Sequence, residues 1–140
     1  MYKCTHFIIE ELVSPGTFKA RGNKAWQLMD ENLLITLDKL REKYGSMTIN
    51  NWKWNGDREW SGLRTVDSPW FSTYSQHSFG RAADIIFKGV TAESVRQDIL
   101  DNPDDPAFEL INSFEEGTSW LHIDVRNVDR ILTFPIPLKK

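Results

Sequence analysis

The chain is expected to fold as an α+β domain, with a small, mainly antiparallel sheet flanked by helices. Three observations predict it. One long helical stripe stands early in the chain; short β-branched or alternating segments follow it; and helices and strands are grouped rather than strictly alternating, which favours hairpin-type pairing over a parallel βαβ layout.

Taken in order, Phe7–Val13 is a short apolar segment, and Ser14-Pro15-Gly16 reads as the turn that stops it. The helix is predicted over Lys24–Tyr44, where Trp26, Met29, Leu33, Leu34, Leu37 and Leu40 recur at three- and four-residue spacing. Lys39, Arg41 and Lys43 crowd its last turns, where cations suit the macrodipole, and Gly45 is the C-cap. Met47–Trp52 alternates like a strand and Asn55-Gly56-Asp57 is a turn. Ser61–Thr65 forms a compact polar segment, and Asp67-Ser68-Pro69 makes another turn. Ala83–Phe87 is predicted as a strand ended by Lys88-Gly89. Thr91 caps a helix whose apolar side is Val95, Ile99 and Leu100, closed by Pro103 and Pro106. Phe108–Ile111 and Trp120–Val125 are further strands, separated by a turn at Glu115–Thr118, and the apolar tail Ile131–Leu138, with two prolines, is an edge strand or strap.

Composition narrows the function. A chain of 140 residues makes one domain, 1–140, able to bury a real core. Its net charge of −3 and scattered cations give no field suited to nucleic acid or an anionic membrane surface. The single Cys4 excludes an internal disulfide framework and a cysteine-type zinc site. No apolar run approaches the roughly 20 residues of a membrane span, and the first residues lack the pattern of a signal peptide. Synthesis as a soluble cytoplasmic monomer is expected. Four of the six tryptophans, Trp52, Trp54, Trp60 and Trp70, fall close together; a heavy local core is the first expectation, a tryptophan-lined groove the second.

The chemistry-bearing residues cluster in two places. His77 and Asp84 bracket Gly80, Ala82 and Ala83, small residues that allow close approach, and His122 lies in Trp120-Leu121-His122-Ile123-Asp124. Strand alternation puts Trp120, His122 and Asp124 on one face and Leu121, Ile123 and Val125 on the core face. His77, Asp84 and His122 together form the ligand set of a catalytic zinc, three protein groups with a fourth position left to water. Such water has its pKa lowered to roughly 7 and needs a carboxylate base, for which Glu115, Glu116 and Asp124 are at hand. His6 is read as surface or structural, and Arg81 and Arg126 as solvated or salt-bridged.

The string Ser75-x-His77-x-x-Gly80-x-Ala82-x-Asp84, followed by Trp120-x-His122, resembles the zinc-dependent D-alanyl-D-alanine carboxypeptidases of the VanY and phage-endolysin type, which share a fold with the hedgehog signalling domain. Ser61-Gly62-Leu63-Arg64-Thr65 also resembles that family's upstream segment, and the motif-bearing core covers about 48–125. The resemblance implies a hedgehog/DD-peptidase-like fold, zinc on His77, Asp84 and His122, and Arg64 in the substrate cleft. It places Glu116, six positions before the second histidine, as the base. Glu115 is the alternative, because a one-residue shift in the turn exchanges them. Ser75, Gln76 and Trp120 are expected to line the substrate site.

The chain departs from the family at Ser119, where many members have an acid, and at Trp120, where some have a histidine. The implied activity is hydrolysis of a peptide bond in the stem peptide of bacterial peptidoglycan, as carboxypeptidase or endopeptidase, acting in phage lysis or on a virion. The alternative is a catalytically inactive zinc- or peptide-binding module of the same fold, such as a phage structural component.

Overall fold

The computed structural model describes residues 1–128 and 131–135. The α+β expectation holds. Three α-helices, α1 (Pro15–Arg21), α2 (Glu31–Tyr44) and α3 (Ala92–Asp101), accompany a five-stranded sheet. Its strands are β1 (Met47–Thr48), β2 (Ala82–Phe87), β3 (Ser113–Glu115), β4 (Leu121–Asp124) and β5 (Leu132–Phe134), in the order β1-β2-β4-β3-β5. All pairings are antiparallel except β3 with β5. Among the described residues no helix is long and apolar enough to cross a membrane.

The predicted helix over Lys24–Tyr44 divides in two. Gly22–Leu28 is a 3-10 segment, and Asp30 starts α2 by accepting the Asn32 N–H at 2.8 Å. An aspartate in extended conformation outcompetes helix continuation, because its carboxylate satisfies an otherwise orphan N–H. Trp26 and Met29 nevertheless stay buried beside Leu33, Leu34, Leu37 and Leu40. Burying each of those leucines contributes roughly 1.5–3 kcal/mol, against about 1 kcal/mol for a cap. The apolar stripe, not the cap, holds α2 against the sheet. Gly45 closes the helix at φ 82°, as expected.

Three other expectations are corrected. Ser14-Pro15-Gly16 begins α1 rather than ending in a turn: Ser14 accepts the Thr17 N–H, and Pro15 takes a first-turn position where its missing N–H costs nothing. Phe108–Ile111 is a run of turns, with Phe108 and Ile111 both buried, and the strand lies later, at β3. On α3, Leu100 is 48% exposed, and the core-facing side is instead Ala92, Val95, Arg96 and Ile99. The tail forms the edge strand β5; its residues 136–138 lie outside the described residues. The strand predicted over Met47–Trp52 shortens to β1, its end turning into a 3-10 segment at Trp52–Trp54.

The sheet has one apolar and one polar face. Ala83, Ile85 and Phe87 of β2, Leu121 and Ile123 of β4 and Phe114 of β3 enter the core. Residues of the opposite parity, Asp84, His122, Asp124, Ser113 and Glu115, share the other face. The functional candidates gather there.

Candidate metal centre

Cross-strand register builds the centre. Asp84 on β2 is the direct partner of His122 on β4, so their side chains rise side by side. His77 arrives from a one-turn 3-10 segment, Gln76–Phe79, capped by Ser75, whose Oγ accepts the His77 N–H. Gly80 ends that turn at φ 67°, and a Cβ there would stand 2.1 Å from the Leu28 carbonyl oxygen, so only glycine allows the chain to pass. The segment Ser61–Arg64 straps the two pieces together: Ser61 O accepts from Asp84 N at 2.8 Å, and Arg64 N donates to His77 O at 3.1 Å.

The three predicted ligands converge. Ligand atoms of His77, Asp84 and His122 lie within 4.8 Å of one another, and all three residues are buried. This geometry can hold a metal ion. His77 Nδ1 is 2.8 Å from Gly62 O; a carbonyl only accepts, so Nδ1 carries the proton and Nε2 presents a lone pair. Burial holds the His77 ring neutral, its pKa below the usual value despite nearby Asp84. Nε2 is buried without a hydrogen-bond partner, yet lies 3.2 Å from Asp84 Oδ1. Two lone-pair-bearing atoms in contact call for a cation between them, and the donor set fits one.

Asp84 is ionised. Burial opposes its charge, but the hydrogen bond from the His122 ring favours it, and its carboxyl is held well below the usual carboxylate range. Its Oδ1 faces His122 Nδ1 at 2.9 Å, and its Oδ2 accepts from Arg64 at 3.0 Å. On the far side of the ring, His122 Nε2 is 3.1 Å from Asp124 Oδ2. Burial opposes charge on His122, but Asp124 and Asp84, helped by Glu115, outweigh it and push its pKa up to about 9. Without a metal, a proton on Nδ1 fills the gap between His122 and Asp84. A metal held there by Nδ1 would leave Nε2–H to donate to Asp124, the carboxylate support common behind metal-bound histidines.

The remaining predicted residues separate. Glu115, buried at the end of β3, places Oε1 at 3.8 Å from His122 Nδ1. Glu116, the first choice for the base, is exposed, and its N–H bonds to Phe134 O on β5. Parity is the reason: Phe114 belongs to the core, so Glu115 faces the site and Glu116 does not. Arg64 is 8% exposed; its Nε donates to Trp60 O and its terminal nitrogen to Asp84, beside grooves on both sides of the centre.

No family model, no curated protein and no solved structure matches this chain. The site therefore rests on its own geometry. One groove, of about 410 Å³, is lined by Tyr74, Ser75, Gln76, His77, Glu115 and Arg126, and Gln76 Oε1 there is buried without a partner. The other carries Trp120.

Two contributors went unread in the sequence. Gly62 supplies the carbonyl that fixes the His77 tautomer. Arg96, 2% exposed, reaches from α3 to the carbonyls of Glu115, Thr118 and Trp120 and so holds the turn carrying Glu115. Its signal was its place, between Val95 and Ile99 on an apolar stripe. Asp124, one of the three candidate bases in the sequence, pairs with Arg126 and supports His122. Arg81 instead lies 3.6 Å from Asp30, and His6 3.6 Å from Glu42.

Proposed function

We propose that the chain is a zinc-dependent hydrolase that cleaves an amide bond in the stem peptide of bacterial peptidoglycan. The observation that carries the hydrolase reading is the buried His77–Asp84–His122 constellation, open to a groove, with a carboxylate at its edge. Two imidazoles and one carboxylate are the donor set of catalytic rather than structural zinc. A zinc ion held there would supply Lewis acidity, polarising an amide carbonyl and making water acidic enough to react near neutral pH.

The chain's own groups do the rest. Glu115 takes the proton from the attacking water and returns it to the departing amine. Asp124 keeps the His122 ring oriented. Arg64 holds a carboxylate or carbonyl of the peptide, and Gln76 offers a buried acceptor for a substrate amide. The stem-peptide substrate, and action in phage lysis or on a virion, are supported by the motif resemblance alone.

The test is direct. Purified protein should contain about one zinc per chain and release fragments from defined muropeptides, with chelator abolishing release. Glu115→Gln should keep the zinc and lose about 100-fold or more in rate, while Glu116→Gln stays near the parent. Equal metal content in the parent and in His77→Ala would remove the metal-site assignment. A second reading, a metal-binding module without catalysis, is favoured by one observation: Arg64 is already engaged by Asp84 and Trp60. Bound zinc with no cleavage of any muropeptide would select it.

A further inference from the structure

The clustered tryptophans are not spent on the core. Trp52 is half-buried, its Nε1 donating to Val13 O and its ring 6.2 Å from that of Phe18, and Trp54 is exposed. Trp60, Trp70 and Trp120 instead line an open groove of about 380 Å³. Trp70 is 48% exposed, a large apolar surface left in water. Trp120 Nε1 is shielded from solvent yet has no hydrogen-bond partner, a donor awaiting an acceptor. Beside the indoles stand three planar charged groups, Asp57, Arg58 and Glu59, and Arg64 and Asp84 of the metal centre also border the groove.

We propose that this groove is a saccharide subsite, which takes a pyranose ring of a carbohydrate-bearing substrate next to the metal centre. Three occupants can be compared. An apolar peptide side chain would cover the indoles but strip water from Asp57, Arg58 and Glu59 without replacing its hydrogen bonds. An organic cation would suit the indoles and carboxylates but meet the positive Arg58 and Arg64. A pyranose ring satisfies both sets. Its C–H face stacks on an indole, its neighbouring hydroxyls match the paired oxygens of a carboxylate or the fork of a guanidinium, and a ring oxygen substituent can accept from Trp120 Nε1. The volume is within the range of small-molecule sites.

The inference rests on the hydrolase reading in one respect only, that the sugar is joined to the group bearing the bond to be cut. Binding can be measured without cleavage. The full chain, zinc-loaded and chelator-treated, is titrated with triacetylchitotriose and with cellotriose, following the indole N–H resonances. Saturable shifts confined to Trp60, Trp70 and Trp120, with Trp26 and Trp52 unmoved, are expected for at least one of the sugars. Trp70→Ala should weaken that binding about tenfold or more while retaining the parental zinc content, which reports an intact fold.

No saturable shift with either sugar overturns the proposal. So does undiminished affinity in both Trp70→Ala and Trp60→Ala, or displacement of the sugar's role by lysine amide shifting the same indoles where sugars do not. Sugar binding without cleavage of any muropeptide would remove the hydrolase reading and leave the subsite. Cleavage of sugar-free peptides without sugar binding would do the reverse.

Discussion

At the scale of single residues, the centre is a problem of charge in a buried place. Asp84 and Asp124 bring two carboxylates to the two ring nitrogens of His122, and Arg126 anchors Asp124 through two hydrogen bonds, at 2.7 and 2.8 Å. Asp124 would therefore act on a metal held at this triad through His122, by holding the ring and raising its basicity. Asp124→Asn should lower zinc affinity about 10- to 100-fold, as read by competition with a chromogenic chelator. An affinity equal to the parent's would show that His122 needs no such support. The candidate ligands were legible because His77 and Asp84 bracket small residues and His122 stands on the outward parity of a strand. Which of two glutamates faces them was not, because Glu115 and Glu116 are adjacent and chemically identical. Only the pairing of Ser113 with Asp124, which sets the parity of β3, separates them.

At the scale of elements, two buried charged groups on helices tie distant stretches of chain together. Asp38, inside α2 and 4% exposed, accepts from Tyr2 Oη at 2.7 Å and from the N–H groups of Thr5 and His6 at 2.8 and 3.0 Å. Its hydrogen bond, with burial, pushes the Tyr2 phenol from 10.0 up to about 12. A pKa raised on folding favours the protonated, folded form, so this stabilisation is complete below pH 10 and fades as pH climbs toward 12. Tyr2→Phe should remove that part of the alkaline loss of stability, measured by urea midpoints across the range; identical pH profiles would contradict it.

Arg96 on α3 has a larger task, satisfying three backbone carbonyls and the Thr118 hydroxyl at once. Arg96→Met should cost about 3 kcal/mol or more, since several buried acceptors lose a charged donor, and Arg96→Lys should recover little, having no planar fork. A urea midpoint within error of the parent's for either would refute that role. The sequence showed α2 and α3 through their periodicity. It hid the break at Asp30, because one capping carboxylate interrupts a stripe whose apolar spacing continues through it. It also suggested a strand at Phe108–Ile111, where apolar residues are buried from turns and no partner strand lies alongside among the described residues.

At the scale of the whole molecule, the fold class was legible from the grouping of elements, whereas the sheet order was not, because it depends on pairings between distant segments. Composition left the tryptophans open between core and groove, and the structure divides them: Trp26 in the core, Trp52 half-buried, Trp54 exposed, and Trp60, Trp70 and Trp120 along a groove. The order β1-β2-β4-β3-β5 puts β4, one of the last strands to be synthesised, at the middle of the sheet. As the chain leaves the ribosome, His77 and Asp84 emerge before His122 and lack it as a neighbour until Leu121–Asp124 has been made and has slotted between β2 and β3. A nascent chain halted before Leu121 would lack both the third ligand and the strand that carries it. Metal capture by this triad would therefore be a late event in the life of each molecule, and a bound ion would certify that translation has passed residue 122 and that the sheet has closed.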